Sequence, residues 1–333
     1  MTGQGQRTTR LRAAQLLIVA ALAAIAPRAV IPAAAQAQAA ATPEPAAADL
    51  TQWRDDLAAW RAEREQQVSG PDGWLTLVGL EWLKPGVNSI GAAAENSIRI
   101  HAQAPDHIGL LTVSGKPGAP AIVQLLSTHD GFPPDLLIDG KPAREGPLAS
   151  EGKPSLITWH SLSMVVLPRA GRFALRIKDS AAPARSSFHN LNWYAPDPHF
   201  RVQALWLPFP AKRIEKIPTV LGTTLDLPSP GQAEFLLGDR TFTLERVLED
   251  PSGNTLFFIL KDDTGKTTSY ETARYLHTGL PTHGLAQKGI LELDFNRLEN
   301  PPCAYTPLAT CPLPPDRNRL PIALEAGEKR YVP

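Results

Sequence analysis

A basic excess is missing from this sequence: 33 Lys and Arg face 33 Asp and Glu in 333 residues. Nucleic-acid recognition needs surplus cations against phosphate, so the balance argues against a nucleic-acid partner. Cysteine is scarce as well, with two in the chain and no C-x-x-C pair. Long apolar runs are also wanting. The uncharged stretch from Ala13 to Ala26 has 14 residues, short of the roughly 20 that span a bilayer. G-x-S-x-G, H-E-x-x-H, a Rossmann fingerprint and a complete P-loop are all absent. No cofactor or metal is expected from such a text. Proline is the one excess, 33 residues, about twice ordinary usage. With 43% hydrophobic and 20% charged residues, the chain reads as globular and long enough for two domains.

The first 39 residues read as an export address. Arg7, Arg10 and Arg12 precede the apolar run, Pro27 ends it, and A-x-A steps come next at Ala35–Ala37 and Ala37–Ala39. A basic start, a short apolar stretch and a small-residue exit predict a Sec-type signal peptide cleaved near residues 37–39. No cysteine stands there to carry a lipid, so no stable membrane anchor is expected after cleavage. Loss of residues 1–39 removes four arginines and no acid, leaving 29 basic against 33 acidic groups, about −4. The expected location is periplasmic or secreted. Residues 40–48, rich in Ala and Pro, read as a flexible linker.

Residues 49–70 carry an amphipathic helical pattern, with Trp53, Leu57, Trp60 and Arg64 on one stripe. Asp49 with Gln52 predicts its cap, and Ser69-Gly70-Pro71 its end. Beyond it, short alternating runs are broken by turn residues every eight to twelve positions. They include Trp74–Val78, Asn96–Ile100, Gly109–Val113, Ile122–Leu126, Leu136–Ile138, Leu162–Leu167 and Phe173–Ile177. No long helical pattern separates them, so the prediction is mainly β: the N-terminal helix, then two antiparallel β units. The first unit spans 71–195 and the second 231–333, the latter a β-sandwich or small barrel. A Pro-rich connection, 196–230, joins them. Second-unit strands are expected at Ala233–Leu237, Arg240–Glu245, Thr255–Lys261, Thr267–Tyr270, Ile290–Phe295 and Ile322–Leu324.

The first unit contains Gly86-Val-Asn-Ser-Ile-Gly91, Asn96-Ser-Ile-Arg-Ile100 and Leu137-Ile-Asp-Gly-Lys-Pro142. This order resembles a forkhead-associated (FHA) β-sandwich. Phosphothreonine-reading members carry Arg after the glycine, whereas Ala92 stands here. The likeness therefore implies the fold and argues against phosphopeptide binding.

Toward the C-terminus stand Arg274-Tyr-Leu276, Leu293-Asp-Phe-Asn-Arg297, Asn300-Pro-Pro-Cys-Ala-Tyr-Thr-Pro307 and Asn318-Arg-Leu-Pro-Ile-Ala-Leu-Glu-Ala-Gly-Glu328. With Gly73–Leu80, Arg176–Asp179 and Asn192-Trp-Tyr194 upstream, they resemble the signature of the uncharacterised DUF1684 family over roughly residues 50–331. The resemblance implies an architecture and no reaction.

Seven prolines between Pro301 and Pro321 forbid helix and central strand. That predicts a stiff loop laid over the sheet. Such a loop can present Arg274, Tyr275, Asp294, Asn296, Arg297 and Asn300 to a small anionic ligand, with Arg274 and Arg297 as the clamp. The alternative is that Asp294 and Arg297 form a local ion pair while the asparagines pin loop carbonyls. Cys303 and Cys311, eight positions apart, are expected to pair in an oxidising compartment, adding about 2–3 kcal/mol by loop entropy. Zinc is the less supported alternative. Ser187, His189 and Asp197 are the best local hydrolase candidates, with His189 and His199 equally available to a metal. Three functions stay open: an anion-binding protein, a hydrolase acting on a small substrate, and a structural or interaction β module.

Overall fold

The computed structural model describes residues 47–115, 121–169, 171–247 and 254–333. The expected signal peptide and most of the linker lie outside the described residues, as does the turn expected at Pro251-Ser252-Gly253.

Helix α1 (Ala47–Ser69) forms where the stripe predicts it. Trp53, Leu57, Arg64 and Val68 are buried on that stripe, each apolar side chain contributing roughly 1.5–3 kcal/mol. The expected cap does not form. The helix begins before Asp49, and Gln52 Nε2 instead donates to Asp56 Oδ1 at 2.8 Å.

The first β block is a two-sheet sandwich. Its strands are β1 (Leu77–Trp82), β2 (Gly86–Gly91), β3 (Ile98–Arg99), β4 (Gly109–Ser114), β5 (Ile122–Leu126) and β6 (Leu137–Ile138). They continue as β7 (Lys141–Pro142), β8 (Gly146–Leu148), β9 (Ile157–Trp159), β10 (Leu162–Arg169) and β11 (Arg172–Asp179). One sheet runs β1-β11-β10-β9-β6-β7, the other β3-β2-β4-β5-β8. Ile90, Leu111 and Leu125 from one sheet meet Ile157, Met164 and Leu175 from the other in a shared core. Alternation does what the sequence predicts here, because one face of each sheet is buried and the other is wet.

The stretch read as a connection is mostly strand. Here β12 (Arg201–Pro218) and β13 (Thr224–Leu237) form a long antiparallel hairpin. Prolines at 208, 210, 228 and 230 hide its alternation. The register shift between Pro208 and Arg213 accommodates residues that cannot donate to a ladder. Gly231, opposite Pro208, lets the Trp206 ring lie against the backbone, where a Cβ would come within 2.5 Å of it. The sheet is completed by β14 (Arg240–Glu245) and β17 (Gly289–Asp294) in the order β14-β13-β12-β17.

Strands β15 (Leu256–Leu260) and β16 (Arg274–Thr278) make a separate two-stranded sheet, and β15 is buried throughout. Phe258 and Leu276 face the core under the four-stranded sheet. Phe257, Ile259 and Tyr275 face a second core that Cys311 and Ala309 of the Pro-rich loop close. Two expected strands are turns or loop instead. Around Thr267–Tyr270, the amides of Thr267, Thr268 and Ser269 all donate to the Thr264 carbonyl. At Ile322–Leu324, the Leu324 amide turns inward to Asp262 Oδ1. The expected stiff loop is present, with short 3₁₀ turns at Pro302–Ala304 and Asp316–Asn318.

Candidate functional site

The chain leaves β17 at Asp294, and that carboxylate organises the turn after the strand. Its Oδ1 accepts the Asn296 backbone and side-chain amides at 3.0 and 2.9 Å, while Oδ2 accepts Trp53 Nε1 of α1 at 2.8 Å. Asn296 is fully buried. Its Nδ2 donates to the Asp197 carbonyl and its Oδ1 accepts the Asp197 amide, both at 2.9 Å. These two residues thus pin the loop.

Arg274 is buried too, and its guanidinium is committed. Nη1 meets Asp262 Oδ2 at 3.0 Å and the Leu324 carbonyl at 2.9 Å, while Nη2 donates to the carbonyls of Ala326 and Glu328. The expected two-arginine clamp is therefore corrected: Arg274 threads the last loop onto β16 and shares no partner with Arg297. Tyr275 Oη donates to the Pro312 carbonyl at 2.9 Å. Asn300 donates from its amide to Glu328 Oε2 and from Nδ2 to the Lys329 carbonyl, each at 2.8 Å. Both residues hold the Pro-rich loop in place.

Arg297 differs. It is about a third exposed and lies 3.6 Å from Asp294 Oδ2 through Nε, with its guanidinium 5.6 Å above the Trp60 ring. It borders an open cleft of about 410 Å³ lined also by Thr255, His277, Thr278, Glu292 and Asp294. Glu292 is engaged by Arg201 at 2.9 Å. His277 stacks on Phe257 with ring centres 4.6 Å apart, and its Nε2 is 3.6 Å from Glu299 Oε1. Burial of the ring, and then the charge of Arg64, draw its pKa down to about 4. The imidazole is neutral at pH 7, able to donate or accept a hydrogen bond.

Behind the cleft lies a network that the sequence pattern does not reveal. Arg64 Nε donates to Glu328 Oε1 at 2.7 Å and is 3.4 Å from Glu299 Oε2. Burial, and then the charge of Glu328, push the Tyr305 hydroxyl up, so it stays protonated and donates to Glu328 Oε2 at 2.6 Å. The one signal in the sequence is the arginine on an otherwise apolar helix stripe.

The serine cluster does not assemble as a triad. Ser187 Oγ donates to the Ala184 carbonyl at 3.3 Å, and His189 Nδ1 to the Ser187 carbonyl at 2.7 Å. Asp197 takes the His199 amide and ring instead. Base and acid are each turned away from the hydroxyl. Among the described residues no cluster of His, Cys, Asp and Glu could hold a metal. Cys303 and Cys311 are free thiols, with the Cys303 amide donating to Cys311 Sγ at 3.0 Å; the expected bond is not formed.

The model of the family described as "Protein of unknown function (DUF1684)" matches residues 186–329. This stretch is similar to the DUF1684 family. The matched stretch supplies His277, Glu292, Asp294 and Arg297 of the cleft, and it ends one residue after Glu328. The upstream resemblance at Gly73–Leu80 and Arg176–Asp179 falls outside it, as does α1, which contributes Trp53, Trp60 and Arg64. The solution NMR structure of an uncharacterized protein from Haloarcula marismortui is 29% identical over 44% of this chain and 78% of its own, with a TM-score of 0.38. No curated protein matches the chain.

Proposed function

We propose that this is an exported protein whose DUF1684-like region binds a small anionic ligand in the cleft between His277 and Arg297. One observation supports the reading above others. Arg297 is braced from behind by Trp60 and Asp294, yet its two Nη groups make no hydrogen bond among the described residues. A planar guanidinium held by its rear edge offers a fork that matches a carboxylate or phosphate. Neutral His277 across the cleft adds a donor without a second fixed charge. The first sandwich serves as an FHA-like scaffold, with Ala92 in the place where a phosphothreonine reader has Arg.

Thermal unfolding in acetate, succinate or inorganic phosphate at fixed ionic strength tests the cleft. At least one probe raises Tm with saturation, and Arg297→Ala diminishes the shift while the unliganded variant stays folded. An unfolded variant would make Arg297 structural, and an indifferent wild type would end the reading.

Export carries its own test. The mature protein begins near residues 38–40 and is recovered from the periplasm or medium. There a disulfide-donating oxidoreductase takes two electrons and two protons from Cys303 and Cys311, which are left joined while the donor becomes a dithiol. Mass spectrometry without reductant finds the mature chain lighter by two hydrogen atoms. Two free thiols on exported protein would overturn the pairing.

A further inference from the structure

Arg246 stands just past β14 and is fully buried. Its Nη2 donates to the Thr255 carbonyl at 3.0 Å, Nε reaches the Val247 carbonyl at 3.4 Å, and the guanidinium sits 5.9 Å from the Trp206 ring centre. Among the described residues no carboxylate pairs with it, and Nη1 has no hydrogen-bond partner.

The molecule contains its own comparison. Arg64 and Arg274 are buried as deeply, at 4% and 1% exposure. Arg64 lies against Glu328 and Glu299, and Arg274 against Asp262. A guanidinium taken out of water loses hydration that only a counter-charge and filled hydrogen bonds return. Arg64 and Arg274 each have a carboxylate, and among the described residues Arg246 has none. Desolvation alone draws its pKa down to about 9, which still leaves it charged at neutral pH.

We propose that Arg246 anchors an anion-binding position beside Thr255, in addition to the cleft at Arg297, and that it takes a compact free oxyanion such as phosphate or carboxylate. The vacant Nη1 supplies a charge-assisted donor, and the Trp206 ring gives the guanidinium an apolar backing. The same chemistry could come from the chain itself, since Glu249 and Asp250 stand three and four residues downstream.

The test is titration of the whole protein with inorganic phosphate and with acetate at constant ionic strength, read by Tm and calorimetry. Arg246→Met weakens binding of the better anion about tenfold or more and stays folded, because no counter-charge is stranded and only the carbonyls of Thr255 and Val247 lose a donor. Arg297→Ala keeps this response, which separates it from the cleft. Equal anion affinity in wild type and Arg246→Met would overturn the proposal. So would a response that wild type lacks and that appears only in Glu249→Gln/Asp250→Asn, since the occupant would then be the chain's own carboxylate. Should Arg246→Met fail to fold, Arg246→Lys keeps the charge and loses the fork, and unchanged affinity there would refute the site.

Discussion

Arg64 Nε and Glu328 Oε1 meet at 2.7 Å, both buried, across 264 residues of sequence. The pair fastens the first helix of the described chain to its last loop. Arg64 Nη2 adds a bond to the Asn300 carbonyl at 2.7 Å, and Tyr305 closes the far side of Glu328. The wall of the cleft thus rests on a charge pair far from it in sequence.

Arg64→Met leaves Glu328 buried without its cation. The expected loss is about 3–5 kcal/mol, measured by urea unfolding. Arg64→Met/Glu328→Met recovers part of it, because the stranded charge goes too. A single variant within about 0.5 kcal/mol of wild type would show the pair to be incidental.

Arg274→Lys keeps the charge but not the fork. One ammonium cannot reach Asp262 and the carbonyls of Leu324, Ala326 and Glu328 together, so buried acceptors lose their donors. The expected cost is about 2–4 kcal/mol in the same assay. Proteolysis should reach the segment after Pro321 sooner than the sandwich.

Gly327→Ala should be costly for a local reason. Gly327 has φ +76°, and a Cβ there would lie 2.4 Å from the Leu298 carbonyl oxygen. Left-handed backbone costs a non-glycine residue roughly 1–2 kcal/mol before the clash is counted. Its carbonyl also accepts the Tyr194 amide at 3.0 Å, so the strand of contacts to residue 194 should loosen. A drop in Tm with early hydrogen exchange at Tyr194 is the expected result.

His277 sets a pH dependence. Its folded pKa, about 4, lies below the ordinary 6.5, so the unfolded state binds the proton more tightly. The contribution is complete above about pH 6.5 and is lost as pH falls toward 4. The half-exposed ring moderates its size. His277→Gln should flatten the stability curve within that window and leave it unchanged above pH 7.

Much of the architecture was legible without coordinates. The stripe of Trp53, Leu57 and Trp60 names a packed helix, since burial of those rings at helical spacing permits little else. Strands β5 and β14 match the alternating runs Ile122–Leu126 and Arg240–Glu245 residue for residue. Alternation is a local property, set by which face each side chain takes. Prolines defeated it at β12 and β13, where the register shift that admits them depends on the partner strand.

The site divides along the same line. Residue types and spacing determined that Asp294, Asn296 and Arg297 would stand together on a stiff loop, because the chain there has few conformations to choose among. Whether each side chain would face solvent or carbonyls was decided by tertiary packing. Arg274 and Arg297 look equivalent as letters. Asp262 and the last loop enclose the first, while Trp60 leaves the second at the edge of a cleft. Burial and counter-charge come from segments distant in sequence, and they alone separate an arginine that holds the fold from one free to hold a ligand.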